Sequence, residues 1–347
     1  MSTRRSTIDD VAQAAGVARV TVSRVLNNEQ NVRPETRQRV QLAVEALGYS
    51  VNTQARALAS GTGRQIILIH AHSPDSEPNS YYDAGLELGA LRACVALGVD
   101  LVTRSIDPAS RDRARLLDSI VERERPIGVI VSPPLSDDLD LIAAAGRAGV
   151  RLIAVSAGGE ASDHVAAVGI DERAAGRAIG DYLVSLGHRR FGFINGPADH
   201  LSAALRFEGF CDALRAGGID ADPWHASGDF TFRSGSEAAE RLIDDRADVT
   251  ALACANDDMA AGAMLSLHRA GVNIPGDMSV TGFDGTPMSE VMWPPLTTVR
   301  LPIKDFTDRA VRLLVESTMA DAPASETLAH QLIVRESTAP PPGTPTA

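Results

Sequence analysis

TIDDVAQAAGVARVTVSRVLN, residues 7–27, decides how this chain reads. Ile8, Val11, Ala12 and Ala15 recur at i, i+3, i+4 and i+7, the apolar stripe of a short helix, and Thr7 followed by Asp10 makes a capping-box pattern at its start. Gly16 stops that helix. Val22, Val25 and Leu26 begin a second stripe a few residues later, so two short helices must cross steeply around Val17 in a helix-turn-helix. The second helix turns Arg19, Val20, Thr21, Ser23 and Arg24 outward: guanidinium, hydroxyl and small apolar groups, with no carboxylate. Such a face suits a DNA major groove, where arginine holds guanine N7 and O6, hydroxyls reach phosphates and a small apolar group meets a thymine methyl. Two amphipathic helices of an ordinary bundle would carry the same stripes.

Outward from this pair, Pro34 suits the first turn of a third helix, with Val40, Ala43, Val44 and Leu47 as its stripe and Gly48 as its stop. Residues 49–60, YSVNTQARALAS, are too few for a stable isolated helix, yet Ala55, Arg56, Ala57, Leu58 and Ala59 are good helix formers. A linker of that kind is a candidate for folding on binding; a solvated linker with one incidental leucine is the plainer alternative. From Gln65 short apolar strands alternate with helices: IILI (66–69), DLVT (100–103), GVIV (128–131) and LIAV (152–155), then FGFI (191–194), TALAC (250–254) and MSVTGF (278–283). Apolar strands separated by helices predict two doubly wound parallel sheets, covered on both faces, with ligands at the carboxyl ends of the strands.

At 347 residues the chain has room for two or three domains. Its net charge of −12 is uneven, since residues 1–64 hold nine Arg against five acidic residues. A basic head precedes an acidic body, which confines attraction for phosphate to the head. Lys304 is the only lysine, and Cys94, Cys211 and Cys254 lie far apart without metal-ligand spacing. Neither a metal nor a cofactor is expected. No apolar run reaches 18 residues and MSTRRSTIDD lacks a signal-peptide core, so the expected location is cytoplasmic, with no membrane partner. There is no P-loop, no GxGxxG after a strand, no HExxH and no GxSxG, so no enzyme is expected.

In this order and spacing IDDVAQAAGV, TVSRVLN, TRQRV, ALGY and AxxLAS resemble the LacI family of bacterial transcription regulators, and NDDMAAGA, SVTGFD and LGHRR extend the resemblance over residues 7–335. Two departures stand out: Ala18 where the family caps its recognition helix with Ser or Thr, and Val51 where family hinges commonly carry proline. Losing a cap costs on the order of 1 kcal/mol, which predicts another capping group or a frayed first turn.

The resemblance implies an N-terminal three-helix head (1–48), a hinge helix (49–63) and a periplasmic-binding-protein-like α/β core. The core would consist of an N-subdomain (64–167 and 300–323) and a C-subdomain (168–299 and 324–337), followed by a disordered Pro-rich tail (338–347). It further implies DNA contacts from Thr7, Asn27, Asn52, Ala55 and Arg56 beside the outward face of the second helix, with Leu58 wedging into the operator's minor groove.

For the core, polar groups stand just after strands at His72, Asn256, Asp257 and Asp284. The resemblance makes Asp257 the carboxylate that accepts a ligand's hydroxyl pair and Arg206 the arginine that reaches it, with His200 and Ser202 a turn earlier. Phe230 becomes the aromatic under the ligand's apolar face, Tyr81 and Tyr82 the first subdomain's contacts, and Ser156 stands where many relatives carry an aspartate. Without the family, Asp257 reads equally as a helix cap, Arg206 as a surface ion pair and Phe230 as core.

The expectation is a homodimeric repressor on double-stranded palindromic operator DNA, released or recruited by a small-molecule effector, a mono- or oligosaccharide. The alternatives are a purine, nucleoside or phosphorylated effector, or a cytoplasmic sugar-binding protein without DNA function.

Overall fold

Gly16 stops the first helix by a Schellman motif. α1 (Ile8–Ala15) ends with Gly16 at φ +63°, its N–H bonded to Gln13 C=O at 3.3 Å and the Val17 N–H to Ala12 C=O at 3.1 Å. This pairing satisfies two carbonyls of the last turn and needs a left-handed residue, which glycine supplies without a Cβ penalty. The computed structural model describes residues 8–26, 32–47, 64–72, 80–220, 222–245, 248–316 and 325–343. Thr7, Asn27 and the hinge segment 49–63, with Asn52, Ala55, Arg56 and Leu58, lie outside the described residues, as does the side chain of Ser23.

The chain divides into two compact units, Met1–Thr62 and Gly63–Ala347. In the first, α1, α2 (Arg19–Leu26) and α3 (Pro34–Ala46) pack on one another around Val11, Ala12, Ala15, Val22, Val25, Val40 and Ala43. The uncapped start of α2 is not frayed: the Thr21 and Val22 N–H groups both close on Ala18 C=O, at 2.8 and 3.2 Å. Arg19, Val20 and Arg24 are exposed on α2 and Thr21 is half-buried.

The second unit carries two sheets. The first takes β1 (Gln65–Ala71), β2 (Asp100–Ile106), β3 (Gly128–Val131), β4 (Arg151–Val155) and β5 (Ala166–Gly169), in the order β2-β1-β3-β4-β5, all parallel. Its helices are α4 (Ser80–Leu97), α5 (Arg113–Glu124) and α6 (Leu139–Arg147). Along β1, Ile66 and Leu68 face one core and Ile67 and Ile69 the other, all fully buried, so the unbroken IILI run is a strand covered on both sides.

The second sheet repeats the winding: β6 (Phe191–Asn195), β7 (Trp224–Ser227), β8 (Ala251–Cys254), β9 (Ser279–Asp284) and β10 (Thr297–Arg300) are parallel in the order β7-β6-β8-β9-β10. Its helices are α7 (Glu172–Ser185), α8 (Leu201–Ala216), α9 (Phe232–Asp244), α10 (Asp257–Arg269) and α11 (Met288–Val291). α12 (Ile303–Glu316) returns to pack on α4, β4 and β5. In each sheet the order reverses beside the first strand, creating a crevice at the carboxyl ends.

Two boundaries differ from the sequence reading. β5 holds its place in the first sheet as far as Gly169, past the expected division after 167. β11 (Glu326–Thr327) pairs with β5, so the segment 324–337 does not lie wholly in the second subdomain; only β12 (Gln331–Ile333) joins the second sheet, antiparallel to β10. Apolar periodicity marks a strand but not the sheet edge it joins.

The expected disordered tail is pinned at its start. Thr338 Oγ1 bonds Tyr182 Oη and Thr297 Oγ1, each at 2.9 Å, and the buried His188 Nε2 donates to Ala339 C=O at 2.9 Å while its Nδ1 meets Thr250 Oγ1 at 3.0 Å. Burial holds the His188 imidazole below its usual pKa, consistent with a neutral structural ring.

The backbones of α4 and α12 touch at Gly89, where a Cβ would fall 1.9 Å from Lys304 C=O, whereas a Cβ at the exposed Gly146 of α6 would meet nothing within 4 Å. Gly89→Ala should cost at least about 2 kcal/mol in urea denaturation, and Gly146→Ala should gain up to about 1 kcal/mol. Equal effects from the two would remove the close-contact explanation.

Candidate functional site

The carboxyl ends of β1, β3, β6, β8 and β9 open on a single cleft of about 210 Å³ in the second unit. From the first sheet come Ala71, His72, Ser132, and Tyr82 and Asp83 on α4. From the second come His200, Ser202, Arg206, Phe230, Asn256 and Asp284, with Asp199 and Asp229 at loop positions. Of the residues assigned to the effector from sequence, His72, Tyr82, His200, Ser202, Arg206, Phe230, Asn256 and Asp284 therefore converge here.

Arg206 is the most constrained. Its Nε donates to Glu172 Oε2 at 2.7 Å, Nη2 to Oε1 at 3.4 Å and Nη1 to Ala255 C=O at 2.8 Å, while its Cζ stands 3.9 Å over the Phe283 ring. Glu172 opens α7 and is buried with it, so this is an internal ion pair and not a surface one. Burial lowers the guanidinium pKa, but Glu172 above all, together with Asp284 and Tyr82, outweighs it and the pKa is raised. Three of its five N–H donors are used, which leaves one on each Nη beside the cleft.

Phe230 adopts φ +68°, costly for a bulky side chain, and Asn256 Nδ2 holds its carbonyl at 2.9 Å. The ring lies over Gly196 and takes the edge of the His200 imidazole at 4.9 Å. Burial pushes the His200 pKa down to about 3, aided by Arg206, so the ring is neutral, and its Nδ1 is buried without a hydrogen-bond partner. Ser202 Oγ is likewise buried and unpartnered. These groups offer a ligand hydrogen bonds that the protein leaves unmade.

The carboxyl expected from sequence to face the cleft, Asp257, does not line it. It is fully buried and accepts from Thr286 N (2.7 Å), Thr286 Oγ1 (2.9 Å) and Thr298 Oγ1 (2.6 Å). Nor does it cap α10, because Asn256 Oδ1 accepts from Met259 N–H at 2.9 Å. Asn256 is thus committed through both side-chain atoms to Met259 and Phe230 and acts as a support.

The carboxyl that reaches the cleft is Asp284, at φ +103° on the end of β9. Burial raises its pKa well above the usual range; Arg206 opposes the shift, and Asp257, Asp258 and Glu172 reinforce it.

Two further assignments do not converge. Ser156 lies at φ +53° against Gly169, with its Oγ buried and unpartnered, and does not line the cleft. Tyr81 does not line it either; burial raises its phenol pKa, with Asp284 adding and Arg300 opposing. In α4 it is the next two residues, Tyr82 and Asp83, that line the cleft. Glu172, Asp83 and Ser132 were missed from sequence. Only Ser132, directly after the GVIV strand, carried the post-strand signal that marks such positions.

The Asp257 carboxyl is raised to about 6, first by burial, against the lowering bonds from Thr298 and Thr286. A carboxyl raised in the folded state stabilises fully below its unfolded value of about 4, and that contribution is lost as pH rises through the folded value. The stability of wild type relative to Asp257→Asn should therefore fall between pH ~4 and ~6.5, by on the order of 3 kcal/mol. Thermal melts across that range check it; a constant difference would contradict the buried-acid assignment.

Residues 7–52 match the family described as bacterial regulatory proteins, lacI family, and residues 180–338 match the periplasmic binding protein-like domain. The chain is 33% identical over 340 residues to the HTH-type transcriptional regulator CelR of Thermobifida fusca, covering 96% of this chain and 98% of that one. A solved CelR–cellobiose complex aligns with a TM-score of 0.70 at 32% identity, covering 96% of this chain and 100% of that one. The lac repressor dimer bound to operator and the anti-inducer ONPF gives 0.72 at 26% identity, covering 97% and 100%. With head and core matched in one chain at this identity and coverage, the protein belongs to the LacI family of bacterial transcriptional regulators.

Proposed function

We propose that the protein is a transcriptional repressor that binds a palindromic operator as a homodimer, and that a mono- or oligosaccharide in the cleft alters its operator affinity. The observation that carries the effector half is Arg206, locked on Glu172 and Ala255 and left with free N–H groups beside the Asp284 carboxyl and the Phe230 ring. Guanidinium and carboxyl pair with sugar hydroxyls, and an aromatic face covers the C–H side of a pyranose. His72, Tyr82, His200 and Ser202 complete the contacts in this reading, with Asn256 and Asp257 as supports.

The cleft volume of about 210 Å³ falls below the ~300–1,000 Å³ of drug-sized sites and favours the small end of the class. The activity is binding without turnover. Relatives lend support: CelR is solved with cellobiose and the lac repressor with operator.

On the DNA side, Arg19, Val20, Thr21 and Arg24 form the groove-facing surface of α2, and Leu58 of the hinge segment serves as the minor-groove wedge. Two such heads related by a two-fold axis fit inverted half-sites. No helix among the described residues is long and apolar enough to cross a membrane, which agrees with a cytoplasmic regulator.

A thermal-shift screen of sugars, sugar acids, nucleosides and purines tests the ligand class. A ligand at 100 times its Kd adds about 2.7 kcal/mol of stability. A sugar hit that Phe230→Ala abolishes, with operator affinity unchanged, supports the reading; a purine or phosphorylated hit overturns the sugar assignment. Operator affinity measured with and without the hit then gives the sign of the coupling. Arg24→Ala should cost about 1–3 kcal/mol in operator binding and relax base preference at one half-site position, while unchanged preference would reduce Arg24 to a phosphate contact.

A further inference from the structure

His70 and His72 leave the end of β1 at alternate positions, and therefore on one face of the sheet. Asp83, in the first turn of α4, reaches both: Oδ1 is 3.1 Å from His70 Nδ1 and Oδ2 is 2.8 Å from His72 Nε2. The two imidazoles lie within 14° of parallel, with centroids 5.5 Å apart, and one ligand atom from each of the three residues falls within 4.8 Å of the others. Among the described residues this is the only group of His, Cys, Asp or Glu so arranged.

A zinc-type ion with nitrogen and oxygen ligands at about 2.0–2.1 Å needs tetrahedral edges of about 3.3 Å. The 3.1 and 2.8 Å distances run to different oxygens of Asp83, so with one carboxylate oxygen as ligand a single edge is already near that value and the other two, within 4.8 Å, contract on binding.

The fourth residue bears on the choice between a metal and a clamp built on a neutral His70; an imidazolium would meet both carboxylates without an ion, and the metal titration separates the two. Glu87, one turn after Asp83, puts Oε1 3.2 Å from His70 Nε2, yet that nitrogen makes no hydrogen bond and His70 is only 3% exposed. If a neutral His70 donates from Nδ1 to Asp83, its Nε2 lone pair faces the Glu87 carboxylate, which is repulsive. If Nδ1 instead gives its lone pair to a metal, the proton sits on Nε2, 3.2 Å from Glu87 Oε1, and a small turn of the half-exposed Glu87 side chain lets it accept that proton. That is the carboxylate–histidine–metal arrangement that fixes tautomer and ring orientation at metal sites.

We propose that His70 Nδ1, His72 Nε2 and the Asp83 carboxylate bind one divalent first-row cation of the zinc, nickel or cobalt type, with Glu87 orienting His70. Two imidazoles select such ions over magnesium or calcium, which prefer all-oxygen shells. His72 and Asp83 line the cleft, so the open coordination position of the ion lies on the cleft wall. The proposal does not depend on the effector being a sugar.

The test is calorimetric titration of chelator-stripped full-length protein with zinc chloride, with cobalt(II) absorption reporting the ligand geometry. One zinc per chain should bind at micromolar Kd or tighter, and cobalt should show the visible bands of a four- or five-coordinate nitrogen–oxygen site. His72→Gln and Asp83→Asn should each weaken binding at least tenfold, and Glu87→Gln by about 10-fold, as for other outer partners of metal-bound histidine. His72 is half-buried, so His72→Gln keeps the test valid should substitution of the buried His70 unfold the protein; metal-free melting curves confirm that each variant is folded. Absence of saturable one-per-chain binding, or a Kd unmoved by both His72→Gln and Asp83→Asn, overturns the site and leaves Asp83 as a hydrogen-bonded clamp.

Discussion

The buried ion pair of Arg206 and Glu172 is the constraint around which the cleft is arranged. Glu172 stands just after the chain first leaves the N-terminal sheet, Arg206 lies on the next helix, and Ala255 directly follows β8. Taking both charges out of water costs several kcal/mol per ion, and geometry must recover it. The 2.7 Å bond, the Ala255 carbonyl and the Phe283 ring do so. What the fold gains is a guanidinium with one orientation, and a neighbouring carboxyl, Asp284, whose pKa burial raises.

A second level of support lies beneath the cleft. Asp257 draws the Thr286 backbone and the Thr286 and Thr298 hydroxyls together, tying the loop after β9 to β10, while Asn256 tethers Phe230 in a left-handed backbone conformation. Neighbours in sequence thus do different work. Asn256 and Asp257 hold residues that line or support the cleft, and Asp284, from a different strand, lines it. The tail has a comparable structural part, since Ser337, Thr338 and Ala339 bond to β9 and β10.

Much of this was legible in the residues. The stripe over Ile8–Ala15, its stop at Gly16, and the second and third helices follow from local periodicity and from one backbone position that needs positive φ. The IILI run could be read as a two-sided strand because both of its faces are apolar. Arg206, Phe230, His200 and Ser202 were placed by resemblance, and they do meet in one cleft. Asp257 was misplaced because its position after a strand is the same in sequence whether the side chain turns to the cleft or to Thr298. Ser156 and Tyr81 failed for the same reason: one step along a turn or helix separates lining from packing.

What the sequence alone determined is therefore whatever depends on spacing within some twenty residues: the helix-turn-helix, the alternation of strands and helices, and the class of core. Tertiary structure alone decided which carboxyl faces the cleft, which sheet β11 joins, how Glu172 finds Arg206, and how His70 and His72 come to face Asp83 and Glu87. Those outcomes depend on contacts between segments far apart in sequence or on the direction of one side chain. Local periodicity carries no record of either.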